Sequence, residues 1–333
     1  MGDNVRDMQP LFSVIIPNWN GRHHLKECLD SLAGQTLHDF ELILVDNGST
    51  DGSVTFVREI CPGAVVVELR ENTGFAAGVN AGIRAARGRY AVLLNNDTAA
   101  ASDWLERLAD AIRENPEVWI FASKLLNYYH RETVDSAGDG FLLSSGPYKI
   151  GEHELSGNYR ERRFSFGACG GGGCYRRELF AEIGLFDEDF FAYFEDADLS
   201  FRANWAGFRC LSVPDAIIYH KVAATSGANS ANRDRFDIMR RRNYLFLIIK
   251  NYPPAFLARY LPIILAVHLL KFLLNLFRLR FRVAFMTQWE LAVGVPKMLK
   301  KRHAILAGRR ISDGEMSSRC VPNTYHAEGR TRL

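Results

Sequence analysis

The chain has 333 residues, 47% hydrophobic and 24% charged, an ordinary globular composition long enough for one large domain with an appendage. Its net charge of +3 hides two opposite regions: residues 1–239 carry 23 Lys and Arg against 34 Asp and Glu (net −11), whereas residues 240–310 carry 15 against the single acid Glu290 (net +14). The acidic body argues against nucleic acid as a partner, and six scattered cysteines without a Cys-x-x-Cys pair argue against zinc-ribbon and thioredoxin chemistry and fit a reducing compartment.

Residues 1–10 are polar, lack an apolar h-region and read as a flexible, non-secretory N-terminus, so a cytoplasmic catalytic part is expected. From there the pattern alternates. Residues 12–16 form an apolar strand stopped by Pro17, and Leu25, Cys28, Leu29 and Leu32 recur at helical spacing. Strands follow at 41–45, 65–69, 90–94 and 119–122. Helices are expected at 54–60, 76–86 and around Trp104, Leu105, Leu108 and Ile112. Strands alternating with helices predict an α/β fold with a mixed, mainly parallel sheet covered on both faces, whose ligands sit at the carboxyl ends of the strands.

Polar motifs stand at several of those ends. Pro17-Asn18-Trp19-Asn20-Gly21 follows the first strand, as a nucleotide contact or a plain turn. Asp46 follows the second and can accept hydrogen bonds from a base or ribose, while Ser49, Asp51 or Ser53 can cap the next helix. The run 71–82 includes Gly74 and Asn80 among small residues that allow close approach of a helix to the sheet or a ligand. It is no Walker loop, since Gly-Lys-Ser/Thr is absent. Asn95-Asn96-Asp97 closes a buried strand and can hold one divalent ion against a diphosphate, or merely cap a helix.

The densest signal is residues 190–199, where Glu195, Asp196 and Asp198 stand among aromatic and apolar neighbours. Carboxylates in such a setting cost free energy unless paired, metal-bound or used for proton transfer. Asp198 and Arg202 are spaced to pair on a helix, leaving Glu195 and Asp196 free for a cleft. His220 ends a further apolar run and, beside Asp97, becomes a candidate second metal ligand.

Taken in order, these motifs, with Ser13-Val14-Ile15-Ile16 and Gly184-Leu185-Phe186-Asp187-Glu188, resemble the inverting nucleotide-sugar glycosyltransferases of family 2, with the GT-A fold, over about residues 12–226. The rhamnosyltransferase and galactofuranosyltransferase-like members are the nearest in pattern. The resemblance implies a nucleotide pocket lined by Pro17, Asn18 and Asn20, with Asp46 on the base and Gly74, Asn80, Asn95 and Asn96 near the donor. It implies Mg²⁺ or Mn²⁺ on Asp97 and His220, Asp196 as general base, and Glu195 beside it. The acceptor is then a cell-envelope glycan or a lipid-linked molecule, and dTDP-rhamnose the first donor to consider. Two departures stand out: the Asp-x-Asp motif keeps only its last acid, and the run 170–173 is all glycine, which either loosens the acceptor side or permits close packing. No Gln-x-x-Arg-Trp follows the acidic motif, which argues against a processive synthase. A nucleotidyltransferase would need a basic, Gly-rich phosphate loop that residues 17–21 lack, and an inactive binding module would not need Asp97, Asp196 and His220 together.

The expected organisation is therefore a catalytic domain over 11–239, nucleotide-binding in 11–123 and acceptor-facing in 124–239, then a basic apolar region over 240–307 and a disordered tail over 308–333. Lys271, Arg278, Arg280 and Arg282 interrupt the apolar region, so amphipathic helices on an anionic membrane surface fit better than a clean span, with an ordinary packed helical subdomain as the alternative. The location this predicts is peripheral, on the inner face of the cell membrane.

Overall fold

The computed structural model describes residues 9–221 and 230–320. Strands β1 (Phe12–Asn18), β2 (Phe40–Asn47), β3 (Val65–Leu69) and β4 (Tyr90–Leu93) alternate with helices α1 (Arg22–Ala33), α2 (Ser53–Ile60) and α3 (Phe75–Ala85). They pair in parallel, in the order β4-β1-β2-β3. β1 is buried along nearly its whole length because helices cover both faces, hence its unbroken apolar run. α1 buries the four residues whose spacing announced it. α3 lies so close to the sheet that a Cβ on Gly82 would stand 2.4 Å from Ile15 Cγ2, so its small-residue stripe is explained by packing.

The second half of the sheet is mixed. β5 (Thr98–Ala100), α4 (Trp104–Glu114) and β6 (Ile120–Asn127) lead to β7 (Val134–Ser136), a hairpin of β8 (Asp139–Leu142) and β9 (Gly146–Lys149), then β10 (Arg163–Ser165) and β11 (Gly173–Arg176). Helices α5 (Leu179–Ile183) and α6 (Glu195–Trp205) precede β12 (Cys210–His220). β11 inserts antiparallel between β4 and β6, while β12 runs parallel to β6 and antiparallel to β5. This brings His220 opposite Thr98, next to Asp97.

Past residue 229 the chain is helical: α7 (Ser230–Asn251), α8 (Pro254–Phe277), α9 (Phe281–Ala307) and α10 (Asp313–Cys320). The expected boundary at 239/240 falls inside α7, which packs on α6. Leu245, Phe246, Leu247, Ile248 and Tyr252 share one core with Phe190, Phe201 and Trp205. A buried ion network adds to it: Lys250 Nζ stands 2.6 Å from Asp187 and 2.7 Å from Asp198, and Asp198 also receives Arg202 Nε at 2.9 Å. Burial opposes the charge on Asp198, but Lys250 and Arg202 outweigh it and hold the carboxyl below its ordinary range. Deleting one member of such a group strands a buried charge, at a cost of about 3–5 kcal/mol.

Two expectations need correction. The tail is not disordered from 308, because α10 docks with Met316 and Cys320 fully buried; residues 321–333 lie outside the described residues, as do 1–8 of the expected flexible N-terminus. Nor is α8 amphipathic. It is apolar around most of its circumference, with Ile263, Leu265, Val267, Leu269 and Leu270 exposed and only Phe256, Ile264 and Asn275 buried. Its 24 residues have a mean hydropathy of 1.9 in the most apolar window, long and apolar enough by composition to cross a bilayer, since Lys271 alone interrupts its central stretch.

Candidate active site

A cavity of about 700 Å³ opens at the carboxyl ends of β1, β2 and β4. Pro17 and Asn18 enter its wall from the end of β1, and Asn95, Asn96 and Asp97 from the loop after β4. Gly74 comes from the N-terminus of α3, Glu195 and Asp196 from the first turn of α6, and His220 from the end of β12. The proton-acceptor and metal-ligand candidates thus share one space, although Asp97 lies 99 residues before Asp196 and 123 before His220.

Three expected contacts are elsewhere: among the described residues the wall does not include Asn20, Asp46 or Asn80. Asp46 is buried and turned to its own loop, accepting from Ser49 N at 3.0 Å and, more weakly, from Asn18 Nδ2 at 3.4 Å. Asn20 ties the loops after β1 and β2 together, its Oδ1 accepting from Thr50 N at 2.8 Å. Asn80 is buried and pins a distant turn, donating to Phe186 O and Glu188 and accepting from Phe186 N. Asn18 links the two sides, since its Oδ1 accepts from Asn96 Nδ2 at 2.7 Å.

His220 sits between two carboxylates. Nδ1 is 2.8 Å from Asp135 Oδ2, and Nε2 faces Asp97 Oδ1 at 3.5 Å. Burial works against a charged imidazole here, yet the hydrogen bonds to Asp135 and Asp97 outweigh it and push its pKa up to about 9. Asp135 is also paired with Lys149 at 2.7 Å. With Nδ1 engaged, a small divalent ion that displaces the Nε2 proton would find Nε2 and the Asp97 carboxylate as a donor pair, with phosphate oxygens and water as its remaining ligands. Among the described residues no group of three His, Cys, Asp or Glu side chains makes a metal cage by itself.

The acid pair differs from the metal pair in its surroundings. Asp196 accepts from Gly170 N at 3.1 Å and from Ala197 N at 2.8 Å. Burial raises its pKa, and these N–H groups offset part of the rise. Glu195 is buried with Oε2 unpartnered, and burial and the charge of Asp196 push its carboxyl well above the usual range. Asp139, on the hairpin, is raised in the same way by burial and by Asp196.

Several wall residues were not read as functional: Asn47, Asn72, Asp139, Tyr148, Lys149 and a set of aromatic side chains that includes Trp19, Phe191 and Tyr193. Asp135, behind the wall, was missed as well. Asp135, Asp139 and Lys149 belong to short, irregular strands with no strong periodicity, so only their charge within an otherwise polar stretch marked them. Residues 190–194, aromatic except for Ala192, form a strained lead into α6: Phe191, Tyr193 and Phe194 have φ of 63°, 70° and 71°. Such conformations cost on the order of 1–3 kcal/mol each for non-glycine residues and persist only where the surroundings enforce them.

The family model for glycosyl transferase family 2 matches residues 13–184, just over half of the chain. The chain belongs to glycosyl transferase family 2. Among curated relatives, EpsJ of Bacillus subtilis, an uncharacterized glycosyltransferase, is 34% identical over 110 residues, covering 32% of each chain. A PGL/p-HBAD biosynthesis glycosyltransferase of Mycobacterium tuberculosis is 36% identical over 110 residues, covering 32% of this chain and 43% of its own. The chain spans well under half the length of the curated relatives it matches. Among solved structures, the mannosyltransferase PcManGT of Pyrobaculum calidifontis, in complex with GDP-Man and Mn²⁺, superposes with a TM-score of 0.51 at 19% identity, covering 91% of this chain and 86% of that one. Residues 1–349 of S. aureus TarS, in complex with UDP, give 0.50 at 17% identity, covering 91% and 94%. At those identities the likeness establishes the GT-A fold, which the sheet order and flanking helices share.

Proposed function

We propose that this glycosyltransferase moves one sugar from a nucleoside diphosphate to an acceptor hydroxyl with inversion, Asp196 acting as general base. The observation that carries the reading is the single cavity walled by Asp97, His220, Glu195 and Asp196. In the proposed reaction Asp196 takes the acceptor's proton as its oxygen attacks the anomeric carbon, help of a kind that contributes roughly 10²–10⁴-fold. Its raised pKa makes it a stronger base than an exposed aspartate. Asn95 and Asn96, in the cavity wall beside Asp97, would contact the donor. Asp97 and His220 would hold Mg²⁺ or Mn²⁺, which when bound would neutralise charge on the leaving diphosphate.

The acceptor is proposed to be a cell-envelope glycan or a lipid-linked molecule reached at an anionic membrane surface. Supporting this, α8 and the outer face of α9 expose apolar side chains, among them Leu273, Phe277, Phe281 and Trp289, with the exposed cations Arg259, Lys271, Arg278 and Arg282 among them. Apolar surface mixed with cations is complementary to anionic lipid.

The deciding experiment measures nucleoside diphosphate release from dTDP-rhamnose, UDP-glucose and GDP-mannose with Mg²⁺ or Mn²⁺. dTDP-rhamnose enters on the sequence resemblance, and GDP-mannose because PcManGT was solved with GDP-Man. Release from one donor that is lost in Asp97→Ala supports the reading. No donor binding or turnover across a full set of nucleotide sugars would overturn it.

A further inference from the structure

We propose that Asn243, on the C-terminal helix α7, is a positioning residue that holds residues 190–194 in the shape that delivers Asp196 to the cavity. This deepens the proposed function and rests on Asp196 being the proton acceptor. The segment has three left-handed non-glycine residues and no glycine or asparagine to ease them, so its shape must come from outside.

Asn243 supplies that constraint. Its side chain is fully buried, and Nδ2 lies 2.7, 2.8 and 2.9 Å from the carbonyl oxygens of Phe190, Ala192 and Tyr193. The amide cannot flip, because Arg242 Nε donates to its Oδ1 at 3.0 Å, and Arg242 is itself anchored to Glu290 of α9 at 2.8 Å. Of the two remaining carbonyls, that of Phe191 is taken by Ala76 N of α3 at 3.1 Å and that of Phe194 by Asp198 N within α6 at 2.9 Å. Gly74 makes that approach possible, since a Cβ there would stand 2.5 Å from Phe191 O. The segment is therefore gripped between the donor-side helix α3 and the C-terminal helix α7, and Glu195 and Asp196 follow it directly. On this reading the basic apolar C-terminal region is part of the active-site architecture as well as a surface.

The test compares wild type, Asn243→Leu, Arg242→Gln and Asp196→Asn as full chains. Three readouts apply: kcat for nucleoside diphosphate release from the donor the wild type uses, Kd for that donor by calorimetry, and amide hydrogen exchange of residues 187–196. Leucine keeps approximate shape and removes both donors. The expected result is a kcat lower by about 10²-fold, the scale of a small misplacement of a reacting group. Donor Kd should stay within about threefold, with faster exchange confined to 187–196. Wild-type kcat in folded Asn243→Leu overturns the proposal, and so does an equal loss of donor affinity with faster exchange across the β1–β4 sheet. If Asn243→Leu does not fold, Arg242→Gln decides. That variant releases the amide and also removes Arg242's own contacts to Asp189 O at 3.3 Å and Phe190 O at 3.5 Å, so kcat should fall about tenfold with donor Kd kept, and an unchanged kcat overturns the proposal. Full activity in Asp196→Asn refutes the base assignment instead, and exchange at 187–196 then decides the grip alone.

Discussion

His220 is held by Asp135 through Nδ1 at 2.8 Å, which leaves Nε2 directed at Asp97. A carboxylate behind a metal-binding histidine fixes the ring's tautomer and orientation, and its loss typically costs 10–100-fold in metal affinity. Asp135→Asn should therefore weaken Mn²⁺ binding, measured by calorimetry or by the paramagnetic signal of free Mn²⁺, by about that factor while the chain stays folded. Unchanged affinity would mean that Asp97 and His220 are not the ligands, or that Asp135 serves only Lys149.

Asp196→Asn removes the base and keeps one of the hydrogen bonds from Gly170 N and Ala197 N, which reach different carboxylate oxygens. Transfer should fall by roughly 10²–10⁴-fold, the usual worth of a general base. Donor affinity should be nearly intact, because Asp196 faces the acceptor in this reading. Parallel loss of donor binding would show that this carboxylate holds the donor instead.

The first four strands were legible as short apolar runs closed by polar residues, and the first three helices as apolar or small residues recurring at helical spacing. Residues such as Leu25 and Leu32 or Val65 and Val67 could hardly belong to anything else. Asp97, Asp196 and His220 were legible as site candidates because a charge at the end of an apolar run has few structural uses. Asp46 carried the same kind of signal, and Asn80 stood out only as a polar residue in the small-residue helix α3; both turned out to be internal braces. The sequence pattern marks a polar residue at a strand end without saying whether it faces the ligand or the next loop. Asn243 was illegible for the opposite reason: it is one asparagine in a basic helical stretch, and its importance arises only from carbonyls some fifty residues earlier.

Glu195 should make the fold less stable as pH rises. Its carboxyl is buried and its folded pKa is raised, so the native state binds a proton that the unfolded state, near the ordinary 4.5, releases. The penalty is absent below about pH 4 and grows as pH climbs from 4.5 toward the raised folded value. Glu195→Gln is neutral at every pH and should raise Tm at pH 7 relative to wild type, with a difference that shrinks to nothing near pH 4. Equal Tm at both pH values, followed by calorimetry, would mean that Glu195 is solvated or paired in solution.

The exposed apolar surface of α8 and α9 gives the sharpest physical test of the membrane proposal. Trp289 lies exposed on α9, Trp104 and Trp205 are fully buried, and exposed Trp19 belongs to the cavity wall, so the part of a tryptophan emission change that Trp289→Phe removes reports lipid binding at this surface. Vesicles containing phosphatidylglycerol should shift the emission to the blue and carry the protein upward in flotation, and purely zwitterionic vesicles should do so less. Replacing exposed Leu269 and Phe277 by Asp puts charge where lipid is expected, each at a cost of several kcal/mol if the position is buried in hydrocarbon. The double variant should stay folded and lose flotation. Added salt should weaken binding of the wild type without abolishing it, because screening removes the headgroup attraction and leaves the apolar part. Protein that remains entirely in the lipid-free fraction, or that hides Trp289 by self-association without lipid, would assign this surface to contacts between copies of the chain.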